Sequence, residues 1–150
     1  MNADRLMRLE VVTVPPDLQL ESAHKLMLRV GVRHLPVVSG RRLAGIVSDR
    51  DILLASGRLK NGMYVYPNRS IGEVMSLSPI SAGPDTPVTE IAKTMVNSKI
   101  DALPIITEEN ELVGLVTSTD LLLILTEMPA EEQPALRFHI RRAGQLEAQA

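Results

Sequence analysis

The chain contains no cysteine, so it can form no disulfide and can offer no thiolate to a metal. Its three histidines, His24, His34 and His139, show no metal-ligand spacing, which argues against a zinc or redox role. The signatures of a zinc-protease helix, a nucleophile elbow and a phosphate-binding loop are absent, and Ser48 has no sequence-evident base. An enzyme is therefore not the expectation. Neither sign of charge dominates: 16 Lys plus Arg stand against 18 Asp plus Glu, a formal net charge of -2. Without a global basic field, nucleic acid and anionic membranes are not expected partners. The longest apolar run, residues 121–125, falls far short of the roughly 20 residues that span a bilayer. The opening residues MNADRLMRLE carry no apolar signal core, so a cytoplasmic protein is expected.

What the chain does have is apolar content and a repeat. At 150 residues and 45% hydrophobic composition it is large enough for one compact domain or two small repeats, with a single merged core expected. Slid against itself by about 68 positions, the sequence sets Met7 on Met75, Leu9 on Leu77, Pro16-Asp17 on Pro84-Asp85, Met27 on Met95 and Leu35-Pro36 on Leu103-Pro104. After one inserted residue the displacement is about 69: Gly45 meets Gly114, Val47 meets Val116 and Asp51 meets Asp120. The insertion falls where GRR in the first copy is matched by EENE in the second. Both are polar and turn-like, and turns tolerate length changes that strands do not.

Each copy reads as β-α-β-β-α, an α/β (α+β) pattern. In the first, residues 11–14 form a short apolar strand, stopped by Pro15-Pro16-Asp17, with Asp17 a candidate helix cap. Apolar residues then recur every three or four positions over Leu20–Val30, and Gly31 ends the run. Residues 35–38 and 43–47 are β-branched runs forming a hairpin, after which Asp49 can cap a helix through Ile52, Leu53 and Leu54. The second copy repeats this order at 80–82, 88–96, 103–106, 112–116 and 121–125. The matched methionines Met7, Met27, Met75 and Met95 read as core, since Met fills irregular apolar gaps. The boundaries read as 6–56 for the first motif, 57–73 for a linker rich in Gly, Asn, Arg and Tyr, 74–126 for the second motif, and 127–150 for a polar, partly helical tail.

The segments VRHLPVVSGRRLAGIVSDRDIL and IDALPIITEENELVGLVTSTDLL each resemble the second half of a CBS domain. The shared features are a hydrophobic-Pro-hydrophobic strand, a hairpin, and Gly-hydrophobic-Val-Ser/Thr-x-x-Asp at a helix start. The resemblance covers about 120 residues, from Leu6 to Leu125. It implies two motifs packed by pseudo-twofold symmetry into one module with two clefts, of the stand-alone class, working as a homodimer with a protein target that the sequence does not identify. It also implies regulatory binding of AMP, ADP or ATP, with S-adenosylmethionine ranking behind them.

The chemistry of Ser/Thr-x-x-Asp fits such a ligand on its own terms. A carboxylate in the first turn of a helix accepts hydrogen bonds from two vicinal hydroxyls, and the hydroxyl three residues earlier adds a polar contact. Asp51 with Ser48, and Asp120 with Thr117, are therefore the candidate ribose residues; the plainer reading is that they are helix caps. The resemblance adds Thr13 and Ser81 at the ends of the first strands and Pro36 and Pro104 as cleft walls on the adenine side. It also implies that each cleft joins the Asp of one motif to cations of the other. Arg33, His34 and Arg50 would then serve phosphate in the Asp120 cleft, the stronger site, while Asp101 would oppose phosphate in the Asp51 cleft unless a cation intervenes, leaving that cleft weaker or free of nucleotide. Lys99, near the end of its helix, reads as a surface charge that complements the helix dipole. The competing expectation is an assembly platform with no physiological nucleotide.

Overall fold

The computed structural model describes residues 1–129, so the tail expected to be partly helical lies almost wholly outside the described residues. In the first motif, helix α2 (Leu20–Val30) is followed by strands β1 (His34–Ser39) and β2 (Arg42–Ser48) and helix α3 (Asp49–Ala55). The second motif repeats this with α4 (Val88–Ser98), β6 (Ala102–Ile106), β7 (Leu112–Thr117) and α5 (Ser118–Glu127). Before the first motif lies a single turn, α1 (Ala3–Leu6). Between the motifs lie a small hairpin of β3 (Gly57–Arg58) and β4 (Tyr64–Val65), a 3-10 turn (Ile71–Glu73) and β5 (Ser76–Leu77).

The helix boundaries have local causes. Gly31 closes α2 at φ 72, a left-handed conformation that glycine adopts without a Cβ penalty. Lys99 closes α4 in the same conformation at φ 53, carrying that helix past the expected end at Val96. Asp17 does not cap α2: the N-cap is Gln19, with no side-chain hydrogen bond, so that expectation is corrected. Asp49 is likewise the first residue of α3, not its cap, which is Ser48.

The two hairpins match in register and turn conformation. Each has a register shift at the same place, between Val37 and Val38 and between Ile105 and Ile106. Each turn uses a left-handed residue, Gly40 at φ 64 and Asn110 at φ 63. Their tips meet: Leu43 N–H donates to the Asn110 carbonyl, Asn110 Nδ2 donates back to the Leu43 carbonyl, and Arg41 pairs with Glu111. The first strand of each copy shrinks to one parallel bridge, Val14 with Val37 and Ala82 with Ile105. Pro16 and Pro84, two residues past each bridge, limit the ladder, because they have no N–H to donate at the next pairing position.

Two core clusters form in place of the single merged core expected from size. Leu20, Met27, Leu35, Val47 and Ile52 anchor one, and Ile91, Met95, Leu103 and Val116 anchor the other. The segments leading into the motifs are exchanged between them. Ile71, which precedes the second motif, is fully buried in the first core, and Ala3, which precedes the first motif, is fully buried in the second. Matching backbone bonds fix the exchange: Ala3 and Asp4 donate to Thr86 and Pro84, and Ile71 and Gly72 donate to Leu18 and Pro16. Each exchanged segment then reaches a sheet edge of the other motif. Arg8 bridges Leu115 on β7, and Ser76 pairs with Ile46 on β2. Met27 and Met95 are buried, while Met7 and Met75 pack partly buried against the clusters.

Candidate functional site: two clefts at the strand-to-helix corners

At the β2-to-α3 corner, extended Ser48 accepts a hydrogen bond on Oγ from Asp51 N–H at 3.1 Å, and Ser48 N–H donates to Asp51 Oδ2 at 2.8 Å. At the β7-to-α5 corner, Thr117 N–H and Thr117 Oγ1 both donate to Asp120 Oδ2, at 2.8 and 2.7 Å. Both pairs are reciprocal capping boxes, so the plainer helix-cap reading holds in each copy. Capping uses only one oxygen of each carboxylate. What happens to the other oxygen separates the corners.

Asp51 Oδ1 has no hydrogen-bond or ion-pair partner among the described residues. Asp120 Oδ1 accepts from Arg8 Nε at 2.8 Å, and Asp120 is buried. Arg8 is the residue that sequence reasoning missed. The repeat carried the signal, since the displacement that sets Met7 on Met75 also sets Arg8 on Ser76, a long cation against a small hydroxyl.

Ser48, Arg50, Asp51 and Ser76 line a cleft of about 400 Å³ together with Lys99 and Asp101 from the second motif. A smaller cleft of about 180 Å³ is lined by Arg8, Thr117, Ser118 and Thr119, with Gly31 and Val32 opposite. Arg33, His34 and Asp101 stand between the two and line both. The expected grouping of Arg33, His34 and Arg50 around the Asp120 cleft is therefore corrected for Arg50. That residue follows Asp49 in the first turn of α3 and lines the cleft of its own motif's carboxylate, as Lys99 of the other motif does. Lys99, expected as a surface charge at a helix end, lines the Asp51 cleft together with Asp101, so the cleft expected to be the weaker carries cations of its own. Burial pushes the His34 imidazole below its ordinary value of 6.5, with Arg33 adding to the effect and Asp101, Asp49 and Asp51 opposing it.

The remaining candidates lie apart from this lining. Thr13 is exposed, and Ser81 lines a separate depression with Asn110. Pro36 and Pro104 are buried in β1 and β6, where their carbonyls accept from Val14 and Ala82. Among the described residues no cluster of His, Asp and Glu could hold a metal ion, and no helix is long and apolar enough to cross a membrane.

The family model for the CBS domain matches residues 3–58 and again 71–127. The chain belongs to the CBS-domain family. The CBS domain pair of protein MJ0100, solved with 5'-methylthioadenosine and S-adenosyl-L-methionine, superposes with a TM-score of 0.72 at 26% identity, covering 84% of this chain and 96% of that one. The cytosolic domain of the Mg²⁺ channel MgtE, solved with ATP, superposes with a TM-score of 0.68 at 28% identity, covering 82% of this chain and 48% of that one. In sequence, the inosine-5'-monophosphate dehydrogenase of Korarchaeum cryptofilum is 38% identical over 112 residues, 75% of this chain and 22% of the enzyme. The chain spans about a fifth of the length of the first curated relatives it matches, so the likeness is to their CBS regions.

Proposed function

We propose that this CBS pair is a regulatory sensor that binds an adenine nucleotide, AMP, ADP or ATP, in the cleft of Ser48 and Asp51. The observation that carries the reading is the unpartnered Oδ1 of Asp51 beside Ser48, in a cleft lined by Arg33, Arg50 and Lys99. A ribose diol donates to that oxygen, and the three cations and His34 receive phosphate. The size suits such a ligand, because sites for small molecules occupy roughly 300–1,000 Å³. The ligand touches both motifs, Asp51 and Arg50 on one side and Lys99 on the other, so its binding free energy biases their relative packing. S-adenosylmethionine shares the adenosine but brings a cationic sulfonium toward these cations, and ranks behind the nucleotides.

A second copy completes the module in this reading. Val96, Leu122 and Leu125 are exposed along a groove of about 550 Å³ between α4 and α5, an apolar patch of the kind that marks an interface. The same face supports the alternative of an assembly platform that uses no nucleotide. Equilibrium dialysis against labelled AMP, chased with ADP, ATP, S-adenosylmethionine or GTP, separates the two. Retention displaced by adenine nucleotides and not by GTP supports the sensor; no retention at millimolar ligand leaves the platform.

A further inference from the structure

The two clefts are built from equivalent corners, yet the second already has something on its carboxylate. Asp120 Oδ2 carries two hydrogen bonds from Thr117, and Oδ1 carries the guanidinium of Arg8 at 2.8 Å. The Asp120 side chain is 7% exposed, whereas that of Arg8 is 51% exposed, so Arg8 forms the cleft wall and Asp120 does not. A vicinal diol needs two acceptor positions, and one lone pair on a covered oxygen cannot serve both hydroxyls. In the first motif the place of Arg8 is taken by Ser76, which is too short to reach Asp51, and Oδ1 there stays open.

We propose that Arg8 is a built-in occupant of the second cleft, holding Asp120 in place of a ribose, so that the chain takes one adenosyl ligand in the Asp51 cleft and none in the Asp120 cleft. This rests on the nucleotide reading above. Admitting a ligand to the second cleft requires exchanging a charged donor for neutral hydroxyls on a covered carboxylate, which weakens that site by about 100-fold relative to the first. The clefts share Arg33, His34 and Asp101, so single occupancy also prevents two sets of phosphates from competing for the same cations. Arg8 thus sets stoichiometry by its length and charge.

Isothermal titration with AMP and with ATP tests this on the full chain. The wild type is expected to bind one equivalent per chain. Arg8→Ser, which copies the residue of the other motif, is expected to bind two, and Arg8→Ser combined with Asp51→Asn is expected to bind one, now in the second cleft. Arg8→Ala serves as an independent variant, and retention of the Asp51 site in either single variant reports that the fold survives. Two equivalents in the wild type, or one in both Arg8 variants, overturns the inference while leaving the nucleotide reading intact. No binding by the wild type or any variant overturns the nucleotide reading and the inference with it.

Discussion

Arg8 and Ser76 hold equivalent places in the two motifs, each at the sheet edge of the other motif, but only Arg8 reaches a carboxylate, that of Asp120. Its pairing also ties the exchanged N-terminal segment to α5. Arg8→Ala is expected to destabilise the protein by about 1–2 kcal/mol, a charged hydrogen bond discounted for the exposure of the arginine. Ser76→Ala is expected to stay within about 0.5 kcal/mol. Urea denaturation of both variants checks the difference.

The exchanged segments pass so close to the sheets that glycine is required there. A Cβ on Gly45 would lie 2.6 Å from both Met75 Sδ and the Ser76 carbonyl oxygen, and a Cβ on Gly114 would lie 2.6 Å from Met7 Sδ. The first clash includes backbone that β-pairing holds in place, while the second meets the Met7 side chain, from Sδ at 2.6 Å to Cβ at 3.0 Å. Gly45→Ala is therefore expected to cost about 2–3 kcal/mol and Gly114→Ala about 1 kcal/mol, read from thermal or urea unfolding. Equal costs would mean that the β5 segment yields as easily as a methionine.

His34 gives the protein a pH dependence with a definite sign. Because burial holds its folded-state pKa below 6.5, the unfolded chain takes up a proton at a pH where the folded protein does not. Stability contributed by this group is present above the ordinary value of 6.5 and is lost as pH falls from there to the folded pKa. His34→Asn is expected to flatten the fall of the urea midpoint in this window. Phosphate beside the imidazole favours its charged form, so nucleotide affinity is expected to rise over the same window as stability falls.

The apolar groove between α4 and α5 predicts association. Leu122→Glu places a charge on that face without touching either core cluster, and light scattering after gel filtration is expected to show the mass halved relative to the wild type. An unchanged mass would remove this face from any homodimer.

Much of this was legible in the sequence because it is local. The helix Leu20–Val30 was fixed by apolar periodicity and Gly31, and the capping boxes by a hydroxyl three residues before an aspartate. The shortening of residues 11–14 to a single bridge depends on where Pro16 falls against β1, a pairing that periodicity does not reveal. The split core was hidden for a related reason. Ala3 falls before the first motif and Ile71 in the linker, and only a contact across the chain puts each in the core of the motif it does not lead into. Arg8 escaped notice because its partner lies 112 positions away, and Lys99 read as a surface charge because nothing in α4 itself records the cleft beyond its end.

The most direct test of the central claim, an adenine nucleotide held by Asp51, is a thermal-shift panel with AMP, ADP, ATP, S-adenosylmethionine and GTP on the wild type, Asp51→Asn and Asp120→Asn. Asparagine retains an acceptor for the cap at Ser48 but replaces the open oxygen with a donor. At a ligand concentration about 100-fold above Kd, binding to the folded state adds about 2.7 kcal/mol, which for a domain of this size raises Tm by roughly 5–10 °C. The account predicts that shift with adenine nucleotides and not with GTP, its loss in Asp51→Asn, and its survival in Asp120→Asn. A shift that survives in Asp51→Asn and vanishes in Asp120→Asn, or no shift with any adenine nucleotide, would contradict it.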